Sequence, residues 1–222
     1  MKNNILVVVA HPDDEILGIG WTILRHIDQG DSVSILILSS WEDSRWDHIS
    51  NNKKRIQQAM EVAQRMSCKL SMENLPDNKF DSLPLLDIVK VVEKYISDLS
   101  PDTIYTHFSH DLNVDHRLTF QAIMTVCRPL PNFCVRNIFC FETNSSTEWQ
   151  KKDSSMIFCP QKYVDISAYI DEKLEILSLY KDEIRDFPHP RSLRWVRVLS
   201  EFRWMEVWYG YAEAFEVVRI LD

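Results

Sequence analysis

Six apolar residues in a row, Ile5-Leu-Val-Val-Val-Ala10, leave few folds open to this chain. Such a run has no polar face to offer water, and its β-branched residues favour extended backbone, so it reads as a central parallel strand covered on both sides. It stops abruptly at His11-Pro-Asp-Asp-Glu15. From Asp14 to Gln29 the apolar residues Ile16, Leu17, Ile19, Ile23, Leu24 and Ile27 recur at helical spacing, and Gly30 provides the stop. A buried strand running straight into an amphipathic helix is the first half of a β-α-β unit.

The same alternation continues along the chain. Strands are predicted at 32–39, 69–72, 103–106 and 135–142, and helices at 51–67, 83–99 and 116–127, with Asp81-Ser82 as the cap of the second of these helices. Strands alternating with helices of this length imply a mostly parallel sheet with helices on both faces, a Rossmann-like three-layer α/β/α fold. After Thr143 the pattern changes to a Ser-rich loop, a short strand near 162–164, a helix over 170–184 and a Trp-rich tail. With no internal repeat or low-complexity linker, residues 1–222 read as one domain.

Composition narrows the function. A net charge of -8 leaves no basic stripe to neutralise phosphates, which argues against nucleic-acid partners. No stretch is long and apolar enough for a membrane span, and the run at Ile5 is too short for a signal peptide. Cys68, Cys127, Cys134, Cys140 and Cys159 are odd in number and form no C-x-x-C pair, so they read as reduced core thiols of a cytoplasmic protein.

In doubly wound sheets ligands bind beyond the carboxyl ends of the strands, where the strand order reverses. Two clusters lie at such ends: His11 to Glu15, and His107 to His116. If the first and fourth strands are neighbours, the clusters meet. A hydrolytic zinc site takes three His and carboxylate ligands and leaves one position for water, a requirement that His11, Asp14 and His116 satisfy. Asp13, beside a ligand yet free to face the water, suits the proton transfers. The competing reading makes the three acids only helix caps and dipole partners, and leaves His11 and the second His-rich loop unexplained. Two imidazoles and a carboxylate also accept Fe2+ or Co2+ in place of Zn2+.

Ala10-His-Pro-Asp-Asp-Glu15 and Asp111-Leu-Asn-Val-Asp-His-Arg117 resemble the two signature motifs of the PIG-L/LmbE-like deacetylases, which include the N-acetylglucosaminyl-phosphatidylinositol de-N-acetylases. The resemblance extends through Arg55, Leu75-Pro-Asp-Asn78, Cys127-Arg-Pro129, Ser145-Ser-Thr-Glu-Trp149 and Phe187-Pro-His-Pro-Arg-Ser192, and so covers nearly the whole chain. It implies a Rossmann-like fold, a zinc ion and removal of an acetyl group from an N-acetylated sugar or sugar conjugate. Carried over by position, it implies metal ligands at His11, Asp14 and His116, an acid/base at Asp13, and an orienting carboxylate at Asp115.

Three places depart from the family pattern. Asn113 stands where many members have a histidine that stabilises the tetrahedral intermediate; its amide N–H can still donate to an oxyanion. Trp21 stands where a second glycine is usual, so it either narrows the site or packs against the sheet, and Ser40-Trp41 stands where an acidic or glycine-containing turn is common.

Substrate contacts are expected from Arg55 and Asp77, whose bland readings are a solvated helix face and a turn, and from His189 and Arg191 in a proline-bracketed loop. Arg191 would reach an anionic group, such as the diphosphate of a sugar nucleotide. The aromatic tail of Trp195, Trp204, Trp208, Tyr209 and Tyr211 points to core or to a homo-oligomer interface. His26 and His48 read as ordinary histidines. Cleavage of another acyl group or a thiol conjugate, and ligand binding without catalysis, stay open as alternatives.

Overall fold

The computed structural model describes residues 2–39, 48–130, 135–208 and 210–221, with the backbone alone for 48–53. Ser40, Trp41, Cys134 and Tyr209, and the side chain of His48, lie outside these.

Five strands form the parallel part of one sheet: β1 (Asn4–Val9), β2 (Ser32–Ile37), β3 (Lys69–Met72), β4 (Thr103–His107) and β5 (Asn137–Phe141). With β6 (Lys162–Asp165) and β7 (Ala212–Arg219) they stand in the order β3-β2-β1-β4-β5-β7-β6. The fourth strand does lie beside the first, Ile5 opposite Thr103, as the convergence of the two clusters requires.

The uninterrupted apolar run of β1 is explained by its two covered faces. Ile5, Val7 and Val9 pack with Ile16, Ile19 and Ile23 of α1 (Asp14–Asp28), with Val62 of α2 (His48–Arg65) and with Ile176 of α5 (Ile170–Leu177). Leu6, Val8 and Ala10 face the other way, onto Ile88 and Val92 of α3 (Leu85–Leu99) and Ala122 and Ile123 of α4 (Val114–Val126). This is the expected three-layer α/β/α arrangement. Helix α1 lies so close to β5 that a Cβ on Gly18 would stand 2.2 Å from the Phe141 ring.

Several local expectations are corrected. Asp81-Ser82 does not cap α3; Phe80–Ser82 form a 3-10 turn, Ser82 Oγ donates to the Lys79 carbonyl, and the helix starts at Leu85 after Pro84. The helix expected over 170–184 ends at Leu177 and continues as turns. The aromatic tail contains a helix, α6 (Leu193–Met205), capped by Ser192 Oγ on the Trp195 N–H, and then β7, which runs antiparallel between β5 and β6. Trp204 is buried, whereas Trp208 is 88% exposed. Only Cys127 and Cys140 of the described cysteines are core thiols; Cys68 is half-buried and Cys159 exposed.

Trp21 packs inward, away from solvent. It is 1% exposed, with the Lys173 ammonium 3.4 Å over its ring. Lys173 in turn donates to Glu213 Oε1 (2.9 Å) and to the Leu17 carbonyl (3.0 Å), and Glu213 accepts the Trp21 and Thr22 N–H groups. A buried ion pair from α5 and β7 thus grips the middle of α1.

Candidate metal centre

Strand order reverses between β1 and β4: β2 and β3 continue the sheet on one side, β5 on the other. The His11–Glu15 segment leaves the carboxyl end of β1, and His107–His116 leaves that of β4. The reversal brings them together. His11, Asp14 and His116, all buried, each present a donor atom, and these atoms lie within 4.8 Å of one another.

Carboxylates surround the two imidazoles. Asp14 Oδ2 lies 3.3 Å from His11 Nδ1 and 3.3 Å from His116 Nε2. On its far side His11 Nε2 meets Asp115 Oδ2 at 3.0 Å and Asp77 Oδ1 at 3.4 Å, and His116 Nδ1 meets Asp111 Oδ1 at 3.3 Å. Asp115 is itself fixed by the Phe80 N–H on Oδ1. Asp111 accepts from the hydroxyls of Ser146 and Thr147 and from the Asn113 N–H.

Electrostatics follow from this crowding. Burial alone would lower both histidine pKa values, but Asp115 and Asp14 raise His11 to about 9, and Asp14 and Asp111 raise His116 to about 10. Burial would raise Asp14, yet the charge of His116 holds it well below the usual carboxylate range. The cage stabilises positive charge at its centre.

The donor set suits a divalent ion. Asp14 Oδ1 and both ring nitrogens of His116 are buried without an aligned hydrogen bond, which is costly for polar groups in a protein interior. Two imidazoles and one carboxylate are the ligand types of hydrolytic zinc sites, and each imidazole has a carboxylate behind it to orient the ring.

Asp13 sits at the mouth of α1 with φ 100°, a left-handed conformation uncommon for residues other than glycine and found where function over-determines the backbone. Its N–H donates to Glu15 Oε2, and Glu15 Oε1 accepts from the Tyr180 hydroxyl at 2.6 Å. The Asp13 carboxylate is 1% exposed; Oδ2 takes the Arg191 guanidinium at 2.8 Å while Oδ1 has no hydrogen bond. Burial pushes Asp13 up to about 7, against the pull of Arg191.

Each remaining expected site residue has a defined place. Arg55 is buried and donates to the Pro12 carbonyl at 3.1 Å, so it braces the motif loop and is no solvated helix face. Asp77 lies against His11. Asn113 Oδ1 caps α4 on the Asp115 N–H, and its Nδ2 donates to Asn78 Oδ1 at 3.3 Å. Arg191 also binds Glu183 (2.9 Å) and Ser145 Oγ (2.7 Å), so two carboxylates already face its guanidinium. His189, half-buried, accepts the Arg191 N–H and meets the Trp149 ring edge-on.

Sequence reasoning did not single out Asp111, His107 or Glu183. His107 stacks on His116 with ring centroids 3.8 Å apart and accepts the Ala10 N–H on Nε2. Burial, reinforced by the neighbouring His116, lowers its pKa to about 3, so it serves as a neutral wall. The Asp111 signal was present in the second motif; Glu183 had none, as its partners Arg191 and Arg55 lie in separate segments.

Comparison with known proteins agrees with this geometry. The family described as GlcNAc-PI de-N-acetylase, PIG-L, matches residues 6–127. The chain belongs to this family. The matched part of the PIG-L domain holds both motif loops and every candidate ligand. An uncharacterized deacetylase of Escherichia coli (strain K12), YaiS, is 27% identical over 187 residues, 81% of this chain and 91% of that protein. The N,N'-diacetylchitobiose deacetylase of Pyrococcus horikoshii superimposes with a TM-score of 0.77 at 20% identity, over 96% of this chain and 83% of that one. GalB, the 4-carboxy-2-hydroxymuconate hydratase of Pseudomonas putida KT2440, does so with 0.74 at 17% identity, over 100% and 99%. These structural likenesses establish the fold. Among the described residues no helix is long and apolar enough to cross a membrane.

Proposed function

We propose that this deacetylase-family protein is a metal-dependent hydrolase that removes the acetyl group from an N-acetylated sugar or sugar conjugate. The observation that carries the reading is the buried His11–Asp14–His116 cluster with the unbonded Asp13 Oδ1 beside its aspartate ligand. Zn2+ is the favoured ion, with Fe2+ or Co2+ as alternatives; when bound it polarises an amide carbonyl and lowers the pKa of water.

In this reading Asp13 Oδ1 takes a proton from the attacking water and returns it to the leaving nitrogen. Arg191 holds the other oxygen in place and keeps the carboxylate oriented. Asp115 and Asp111 orient His11 and His116. The Asn113 N–H not directed at Asn78 is the candidate donor to the oxyanion. Substrate hydroxyls fall to Asp77 and the half-buried His189, with Arg55 acting from behind through Pro12. Since Asp13 and Glu183 offset the charge of Arg191, an uncharged sugar fits better than a diphosphate contact at that residue.

The shared scaffold of the GalB hydratase makes product analysis decisive. Zinc-loaded protein incubated with a panel of N-acetylated sugars is expected to release acetate and free amine in equal amounts. Release of a different acid selects the wider amidase reading. Absence of any amide cleavage, with about one equivalent of zinc bound and lost on His116→Ala, would reduce the site to binding.

A further inference from the structure

Away from the metal centre, a cavity of about 610 Å3 opens between the C-terminal half of α1, β4, β6 and α6. Its walls include Arg25, His26, Tyr105, Lys162, Trp204 and Val207, and none of the residues around Asp14. Arg25 stands eleven positions after Asp14, about 16 Å along the helix.

A built hydrogen-bond chain ends in this cavity. His26 Nδ1 lies 2.7 Å from Asp31 Oδ2, His26 Nε2 3.2 Å from Tyr105 Oη, and Lys162 Nζ donates to Tyr105 Oη at 3.0 Å. With Nδ1–H facing the carboxylate, the neutral imidazole accepts the Tyr105 proton on Nε2, and the phenolic oxygen accepts from Lys162. Burial holds His26 below its ordinary pKa and Tyr105 above, so both keep these roles near neutral pH.

The chain places the Lys162 ammonium 3.7 Å from the Phe139 ring centroid, and it leaves the charge unmatched. Among the described residues no carboxylate forms an ion pair with Lys162 or Arg25. Arg25 donates to the main-chain carbonyl of Asp165, whose carboxylate accepts the Ser167 N–H. Burial, with Arg25 adding to it, lowers Lys162 to about 8. Two neighbouring cations without a counter-ion, at a cavity of a chain with net charge -8, form a place for an anion.

We propose that this cavity binds a small molecule bearing a phosphate or carboxylate, held between Arg25 and Lys162 with its less polar part against Trp204 and Val207. The site is separate from the metal centre, and its test needs no turnover.

Lys162 acylation by an amine-reactive reagent at pH 8 is followed by mass spectrometry, with exposed Lys54 as internal reference. Inorganic phosphate and succinate are added separately at matched ionic strength. At pH 8, an anion that raises the Lys162 pKa from about 8 by one unit slows its labelling about fivefold relative to Lys54. Protection by one anion alone identifies the class of ligand. Unchanged labelling with both overturns the proposal, as does full protection in Arg25→Gln.

Discussion

His11 Nε2 lies 3.0 Å from Asp115 Oδ2 although 104 residues separate the two. The contact joins the first motif to the second and leaves His11 Nδ1 facing Asp14. Asp111 stands in the same relation to His116. Substituting Asp115→Asn or Asp111→Asn is therefore expected to weaken zinc binding about 10- to 100-fold by loosening ring orientation. Competition with a chromophoric chelator measures this, and unchanged affinity in both variants would remove the orienting role.

Asp13 makes no contact that the fold requires on Oδ1. Asp13→Ala should retain the metal and lower turnover by about 100- to 10,000-fold, the usual reach of general acid–base catalysis. Zinc stoichiometry and the rate of acetate release, taken on the same sample, test both halves. A variant that keeps its rate would refute the proton role.

Zinc binding should release protons. With the cage around them, His11 and His116 titrate near 9 and 10, so at pH 7 both carry a proton that a metal must displace. Affinity accordingly rises with pH up to that range and falls in acid. Calorimetry in buffers of different ionisation enthalpy should count about two protons per zinc at pH 7; a count near zero contradicts the assignment of these histidines.

Lys173→Met leaves Glu213 buried without its cation, and breaking a buried pair in this way typically costs about 3–5 kcal/mol. Adding Glu213→Gln should recover a large part of that loss. Urea denaturation of the single and double variants measures the coupling, and additive losses would show that the pair is not the cause.

Much of this was legible in local pattern. The run of β1, the period of α1 and the two motifs locate the parallel sheet and the three candidate ligands, because covered faces and ligand chemistry leave marks at short range. The end of α5 and the existence of β7 were not legible. The Ala212–Arg219 segment has polar residues on a strand between two neighbours, and Glu213 is there to serve α1, not the sheet. Glu183, Lys173 and the Asp31–His26–Tyr105–Lys162 chain escape for the same reason: their meaning lies in partners that no spacing announces.

The grip of Glu213 on Trp21, 192 residues away, has a consequence for biosynthesis. At about 5–20 residues per second, a ribosome needs roughly 10–40 s between making the first of the two loops that would hold the metal and making the strand that steadies the helix behind it. Until then the nascent chain exposes a helix whose brace has not been translated. Ribosome-bound intermediates stalled before that point should therefore engage chaperones, and zinc should stay only loosely associated with them.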